Sequence, residues 1–250
     1  MTNRRVEFLT GHHAHELLMM VCPTVHQFIK KRLKDCFTRY HTGETAGEWL
    51  DQPAAYCVVR RCFFANGKTY IVATYHFFHR HDWSDSWNPF VRWADSHDFD
   101  FEGCTIFWEQ SGDASANLVV TQAHDDLLFY RLRPGEWPHV YIASCSHAIF
   151  PREDLVESRG PECRIYKPGE IELINIESFA MRRMMREAVA PMFKRFDVKM
   201  PWEVTDWRIR RQFGKKGVRS LYDDPEAFLG FAGDLGLLSP EHAIFTSADH

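Results

Sequence analysis

The spacing of apolar and polar positions changes character twice along the chain. Residues 1–53 read as helical and rather polar. Pro23 can open a helix carrying Val25, Phe28, Ile29, Leu33 and Phe37, a spacing that keeps to one face. From Ala54 the period shortens. Ala55–Phe64 and Thr69–Phe78 are rich in β-branched and aromatic residues, with Asn66-Gly67, a tight-hairpin dipeptide, between them. Further strands are predicted at Asp100–Glu109, Asn117–Gln122, Leu127–Leu132, His139–Ser144, Cys163–Tyr166 and Glu170–Ile176. Ser111-Gly112-Asp113, Pro134-Gly135 and Pro168-Gly169 separate them. After Glu177 a helical period returns through Phe179, Met184, Ala188, Met192 and Phe196, with Pro191 as a kink or stop.

Short strands at this spacing, without amphipathic helices between them, predict an antiparallel β-sandwich rather than a parallel α/β sheet. The expectation is one mainly β domain over residues 1–250. A helical N-terminal segment (1–53) and a helical C-terminal extension (177–250) flank a β-sandwich core (54–176).

Composition narrows the function classes. Apolar residues make up 45% and charged residues 26% of the chain, which excludes disordered and collagen-like polymers. Thirty Lys+Arg against thirty-four Asp+Glu leave a formal charge of −4, so no nucleic-acid-binding stripe is expected. Lys30, Lys31, Arg32 and Lys34 read most simply as a solvated helix face, with a basic partner surface as the other use. The seven cysteines are odd in number and lack a C-x-x-C pair, which disfavours a disulfide framework and a thiolate zinc knuckle. No apolar signal region follows Met1, and Leu17–Cys22 is too short to span a bilayer, so a cytoplasmic protein with no transmembrane segment is expected. No G-x-S-x-G, P-loop or Rossmann fingerprint is present. Fourteen histidines raise the prior for metal or proton-transfer chemistry.

Those histidines and the acidic residues concentrate between Tyr75 and Glu102. Strand alternation would send Asp100 and Glu102 to one face and Phe99, Phe101 and Phe107 to the other. Two adjacent carboxylates need a cation, a shared proton or full solvation. His97, just ahead of them, completes His-x-x-Asp-x-Glu, a nitrogen and two oxygen donors on a short stretch of backbone. That set suits Mg²⁺, Mn²⁺ or Ca²⁺ best, with Zn²⁺ or Fe²⁺ also open. The plainer reading is a solvent-facing acidic edge. Trp83, Trp87 and Trp93 surround the same loop and are candidates for a rim that stacks on a sugar or touches lipid, or for core and hairpin packing.

His97-Asp98-Phe99-Asp100-Phe101-Glu102 resembles the H-R-H-D-W-E core of the heptapeptide in necrosis- and ethylene-inducing-like proteins, a cytolysin family. The upstream Tyr75–Asp82 run is similar to that family's aromatic strand ending in a metal-binding aspartate. His79-Arg80-His81-Asp82-Trp83 offers a competing register with Phe78 and Ser84 at the glycine and glutamate positions. Gln122-Ala123-His124 and Val140–Pro151 resemble proteins related to vacuolar protein sorting-associated protein 62. The likeness covers about residues 70–151. It implies a β-sandwich, with Asp82, His97, Asp100 and Glu102 as metal ligands and His124 and His147 beside them. Phe99 and Phe101 depart from the cytolysin pattern, which removes the support for membrane lysis.

Three roles remain open at this level. The chain binds a small-molecule, sugar or lipid-head-group ligand through an open metal site; or it is a metal-dependent hydrolase or lyase with His124 or His147 as acid and base; or the cation merely clips strands together.

Overall fold

A computed structural model describes residues 5–39, 52–63, 67–83, 87–90, 97–110, 117–123, 126–176, 228–229 and 244–245, with the description at 5, 8, 32–33, 80–82, 97–101, 126 and 244–245 confined to the backbone. Within these residues the chain is mainly β, as the alternation in its central part requires. β1 (Arg5–Phe8) leads into helix α1 (Gly11–Val21), then β2 (Thr24–Ile29), the single turn α2 (Arg32–Asp35), β3 (Ala54–Phe63), β4 (Thr69–Asp82) and β5 (His97–Glu109). There follow β6 (Leu118–Ala123), β7 (Asp126–Arg131), β8 (His139–Ile142), β9 (Ile149–Phe150), β10 (Glu162–Tyr166), β11 (Glu172–Asn175) and β12 (Ile244–Phe245).

Two sheets result. The larger runs β1-β3-β4-β5-β6-β7-β12, with β11 also paired to β3; the smaller runs β10-β2-β8-β9. Every pairing is antiparallel except β11 with β3 and β2 with β8. The β3–β4 hairpin closes where Asn66-Gly67 predicts it: Phe63 pairs with Thr69, and Gly67 takes a φ of 82°, the left-handed geometry that a side chain resists. β4 and β5 continue well past the predicted strands in unbroken register, from Tyr70 opposite Glu109 to Asp82 opposite His97.

The sheets share one core. Ala55, Cys57, Val59, Ile71, Ala73, Tyr75, Phe77, Cys104 and Ile106 of the large sheet meet Val25, Val140, Ile142 and Ile149 of the small one. Helix α1 closes one flank with Ala14, Leu17, Leu18 and Val21, a spacing of three and four that puts all of them on one face. The Tyr75 hydroxyl donates to the Leu18 carbonyl at 2.7 Å, tying that helix to β4. Six of the seven cysteines are buried and all seven are free, so they act as small core residues.

The expected helical flanks are where the sequence reading needs correction. Among the described residues of the N-terminal segment, Gly11–Val21 alone forms a full helix. The helix expected from Pro23 is instead strand β2 followed by one helical turn. β2 is covered on both sides: Val25, Gln27, Phe28 and Ile29 are all buried. Burial on both faces abolishes the alternation that would have marked a strand, and the apolar residues then fit a three-and-four spacing by coincidence. The C-terminal helix through Phe179–Phe196 lies outside the described residues. Of 177–250, the structure describes helical Phe228–Leu229 and strand β12, and Phe228 packs against Phe107 and Phe129 with ring centroids 6.3 and 5.7 Å away.

Candidate functional site

Asp35, at the end of α2, is fully buried and organises one end of the molecule. Its Oδ2 accepts the backbone N–H groups of Lys30 (2.7 Å) and Lys31 (2.6 Å). Its Oδ1 accepts the Trp83 indole N–H (2.7 Å) and the Cys145 backbone N–H (3.0 Å). His147 Nε2 stands 3.6 Å from the same Oδ1. Burial by itself would raise the pKa of this carboxyl. The approach of His147 and the hydrogen bonds from Lys31, Cys145 and Lys30 outweigh that penalty and bring it down to about 2. Asp35 is therefore an ionised, buried carboxylate joining α2, the end of β4 and the β8–β9 loop.

That loop is bent to reach it. Cys145 and His147 take φ values of 73° and 56°, the left-handed region that non-glycine residues rarely occupy. Such backbone costs roughly 1–2 kcal/mol per residue. The Cys145 N–H bond to Asp35, the Cys145 carbonyl accepting from Trp83 N (3.2 Å) and the Ser144–Ser158 hydroxyl contact (2.9 Å) hold the turn in place. Non-glycine left-handed residues concentrate at functional sites, and here one of the two is the buried His147 itself.

The His147 ring lies flat against that of His79, with centroids 3.9 Å apart and planes within 3°. Both are fully buried. Burial first, and then the neighbouring His147, hold the His79 pKa well below the ordinary imidazole value, so His79 is neutral. Its tautomer follows from Gln27. The Gln27 amide nitrogen donates to the Phe28 carbonyl (3.2 Å), which turns Oε1 toward His79 Nε2 at 3.4 Å. Nε2 must then carry the proton, and Nδ1 carries a lone pair. That Nδ1 is buried and has no hydrogen-bond partner.

The β4–β5 ladder decides which of the sequence candidates come together. His79 pairs with Asp100 and Phe77 with Glu102, so positions 79, 100 and 102 fall on the same side of the pleat. Glu102 is buried there, in line with Cys104 and Ile106 of the shared core, so it is not part of a solvent-facing acidic edge. Asp82 and His97 are ladder partners of each other, at alternate positions of the pleat from Asp100 and Glu102. The four expected ligands thus fall into two backbone pairs, and His79 joins the pair that includes Glu102. Phe107 is also buried, on the opposite side from Glu102, so β5 is covered on both faces.

Side chains at Asp82, His97 and Asp100, and residues His124 and Trp93 altogether, lie outside the described residues. Trp83 is buried under Lys31, whose ammonium sits 4.0 Å above its ring, and it packs as a core residue bound to Asp35. Trp87 is 90% exposed. Among the described residues no three His, Cys, Asp or Glu side chains are arranged to hold a metal ion. The lone pair on His79 Nδ1 nonetheless fits a cation, because it is a buried donor atom that no proton satisfies, on a strand position facing a carboxylate-bearing one.

Sequence reasoning identified His147 and Glu102 and overlooked Asp35, Gln27 and the role of His79. One signal was available for Asp35: it is the sole carboxylate in the basic run Lys30–Lys34 and its neighbours, as a carboxylate that binds main-chain N–H groups can be. No protein-family profile, no curated protein and no solved structure matches this chain.

Proposed function

We propose that this chain is a divalent-metal-binding protein built as a two-sheet β-sandwich, and that its metal site binds a sugar- or phosphate-bearing ligand. The observation that carries the reading is the unpartnered, buried Nδ1 lone pair of His79. In this proposal His79, Asp100 and Glu102 hold the ion, and Asp82 and His97, at positions on the other face of the ladder, take no part in it. One imidazole with two carboxylates suits Mn²⁺, Zn²⁺ or Fe²⁺, with Mg²⁺ and Ca²⁺ drawing on the carboxylates alone. A bound cation of this kind supplies Lewis acidity to a coordinated ligand oxygen. The chain's own part is to fix the donors. Gln27 sets the His79 tautomer, and Asp35 orients His147 much as a carboxylate orients a metal-ligating histidine from behind. The likeness to the cytolysins and the vacuolar-sorting-related proteins enters as the source of the acidic strand only.

A second reading, a metal-dependent hydrolase or lyase, is favoured by one specific observation: His147 faces a buried, ionised carboxylate, the arrangement that suits a proton-moving histidine.

Titration with Mn²⁺ followed by calorimetry, together with elemental analysis of the purified protein, tests the first reading. One equivalent should bind, and His79→Ala and Glu102→Gln should each abolish it while leaving the far-ultraviolet circular dichroism intact. Undiminished Mn²⁺ binding in both variants refutes the site. Metal-dependent ester or phosphodiester turnover that His147→Gln removes would select the enzymatic reading.

A further inference from the structure

On the small sheet, away from Asp35 and His79, a second pair of histidines meets. His26 on β2 and His139 on β8 stand on parallel neighbouring strands, where Thr24 pairs with His139 and His26 with Tyr141. The offset brings His26 Nε2 to 2.9 Å from His139 Nδ1. Both rings are half-buried, so solvent reaches them, in contrast to His79 and His147. Tyr141 stacks on His26 with centroids 4.5 Å apart and planes within 20°, which fixes the ring's orientation.

We propose that His26 and His139 form a surface site for an imidazole-preferring divalent transition ion of the Cu²⁺ or Zn²⁺ class. This inference does not rest on the reading of His79. The separation suits the square-planar Cu²⁺ geometry best: two metal–nitrogen bonds of about 2.0–2.1 Å meeting near a right angle hold their nitrogens about 2.9 Å apart, and a tetrahedral Zn²⁺ needs the rings to part by a few tenths of an ångström. The backbone supplies that spacing from two hydrogen-bonded strands, and binding requires each ring to turn so that its lone pair points at the ion and no longer at the other ring. Before metal enters, one ring donates an N–H to the other. On binding, the donor ring shifts its proton to its outer nitrogen, so both facing nitrogens present lone pairs and no net proton is released.

The surroundings favour a cation. Burial and His139 lower the pKa of His26, and burial lowers that of His139, so both rings are neutral near pH 7. Glu153 acts on His26 and Glu136 on His139 with the opposite sign, placing negative charge on the site. The nearby arginines are already engaged: Arg152 with Asp154, and Arg159 with Glu153. Glu136 is itself occupied by Tyr130 and the Arg133 N–H, which leaves the remaining coordination positions to water or an incoming ligand.

The test is calorimetric titration with Cu²⁺, coupled to electron paramagnetic resonance, on the full chain and on His26→Gln, His139→Gln and the double variant. The glutamines keep a polar side chain, and a matching melting temperature without metal confirms that they fold. The expected result is one Cu²⁺ with a two-nitrogen hyperfine pattern, weakened at least ~tenfold in each single variant and lost in the double. His79→Ala should leave this equivalent untouched, which separates its failure from failure of the His79 site. Unchanged Cu²⁺ affinity and spectrum in the double variant overturns the proposal and leaves the pair as a structural hydrogen bond.

Discussion

Replacing Asp35 with alanine tests the central claim about how this end of the molecule is held. The substitution removes the acceptor of four hydrogen bonds, from Lys30 N, Lys31 N, Trp83 Nε1 and Cys145 N, and the charge facing His147. A buried donor left without a partner costs about 1–3 kcal/mol. Lys30 and Lys31 are exposed residues whose N–H groups water can satisfy, whereas Trp83 and Cys145 are buried. Two stranded donors, together with the left-handed turn at Cys145 that no longer has its anchor, give a loss of about 4 kcal/mol. Against a typical total of about 5–15 kcal/mol, that is a large fraction. Asp35→Asn should cost less, about 2–3 kcal/mol, because its amide oxygen still serves one pair of donors while its NH₂ opposes the other pair. Equilibrium urea unfolding followed by circular dichroism measures both. If Asp35→Ala falls within about 0.5 kcal/mol of the parent, the carboxylate is not the keystone its geometry describes and the reasoning fails.

Acid should destabilise the fold from an unusually high pH. Burial, and then the nearby Arg60, lower the His76 pKa to about 3, and His79 is likewise lowered. Both histidines bind protons more readily when unfolded, so their contribution is complete above about pH 6.5 and is lost as pH falls toward the folded values. Two such groups give a slope of about 2.7 kcal/mol per pH unit between pH 4 and 6, read from urea midpoints, and a flat profile there contradicts buried neutral histidines. Asp35, lowered to about 2, adds a further loss below pH 4. Gly103→Ala should also destabilise, by about 1–3 kcal/mol, since the new Cβ would stand 2.9 Å from His76 Nδ1 and 3.3 Å from the Tyr75 carbonyl; an unchanged melting temperature would show that His76 has room to move.

Much of the sheet was legible because its strands are punctuated. Asn66-Gly67 announces the β3–β4 hairpin, and the runs at 54–63, 118–123, 126–131 and 162–166 all carry β-branched or aromatic residues between turn formers. β2 was not legible, because Val25, Gln27, Phe28 and Ile29 are buried without alternation. The candidate site was half legible for a related reason. Local spacing can pair Asp100 with Glu102 along one strand, and the resemblance of residues 140–151 drew attention to His147. Spacing cannot show that register sets His79 opposite Asp100 and Asp82 opposite His97. Nor can it reveal that Asp35 meets a loop 110 residues further along the chain.

Strand β2 carries a consequence for how the molecule is made. Its neighbours in the small sheet are β8 and β10, and His26 finds His139 only 113 residues later. During synthesis β2 leaves the ribosome early with both of its edges unsatisfied, and it stays so until most of the protein has followed. The larger sheet, built chiefly from adjacent hairpins, can assemble in the meantime. Closing the small sheet is therefore the late, slow event of folding, and interrupted or truncated synthesis should strand a chain whose central β-segment is open to the wrong partner.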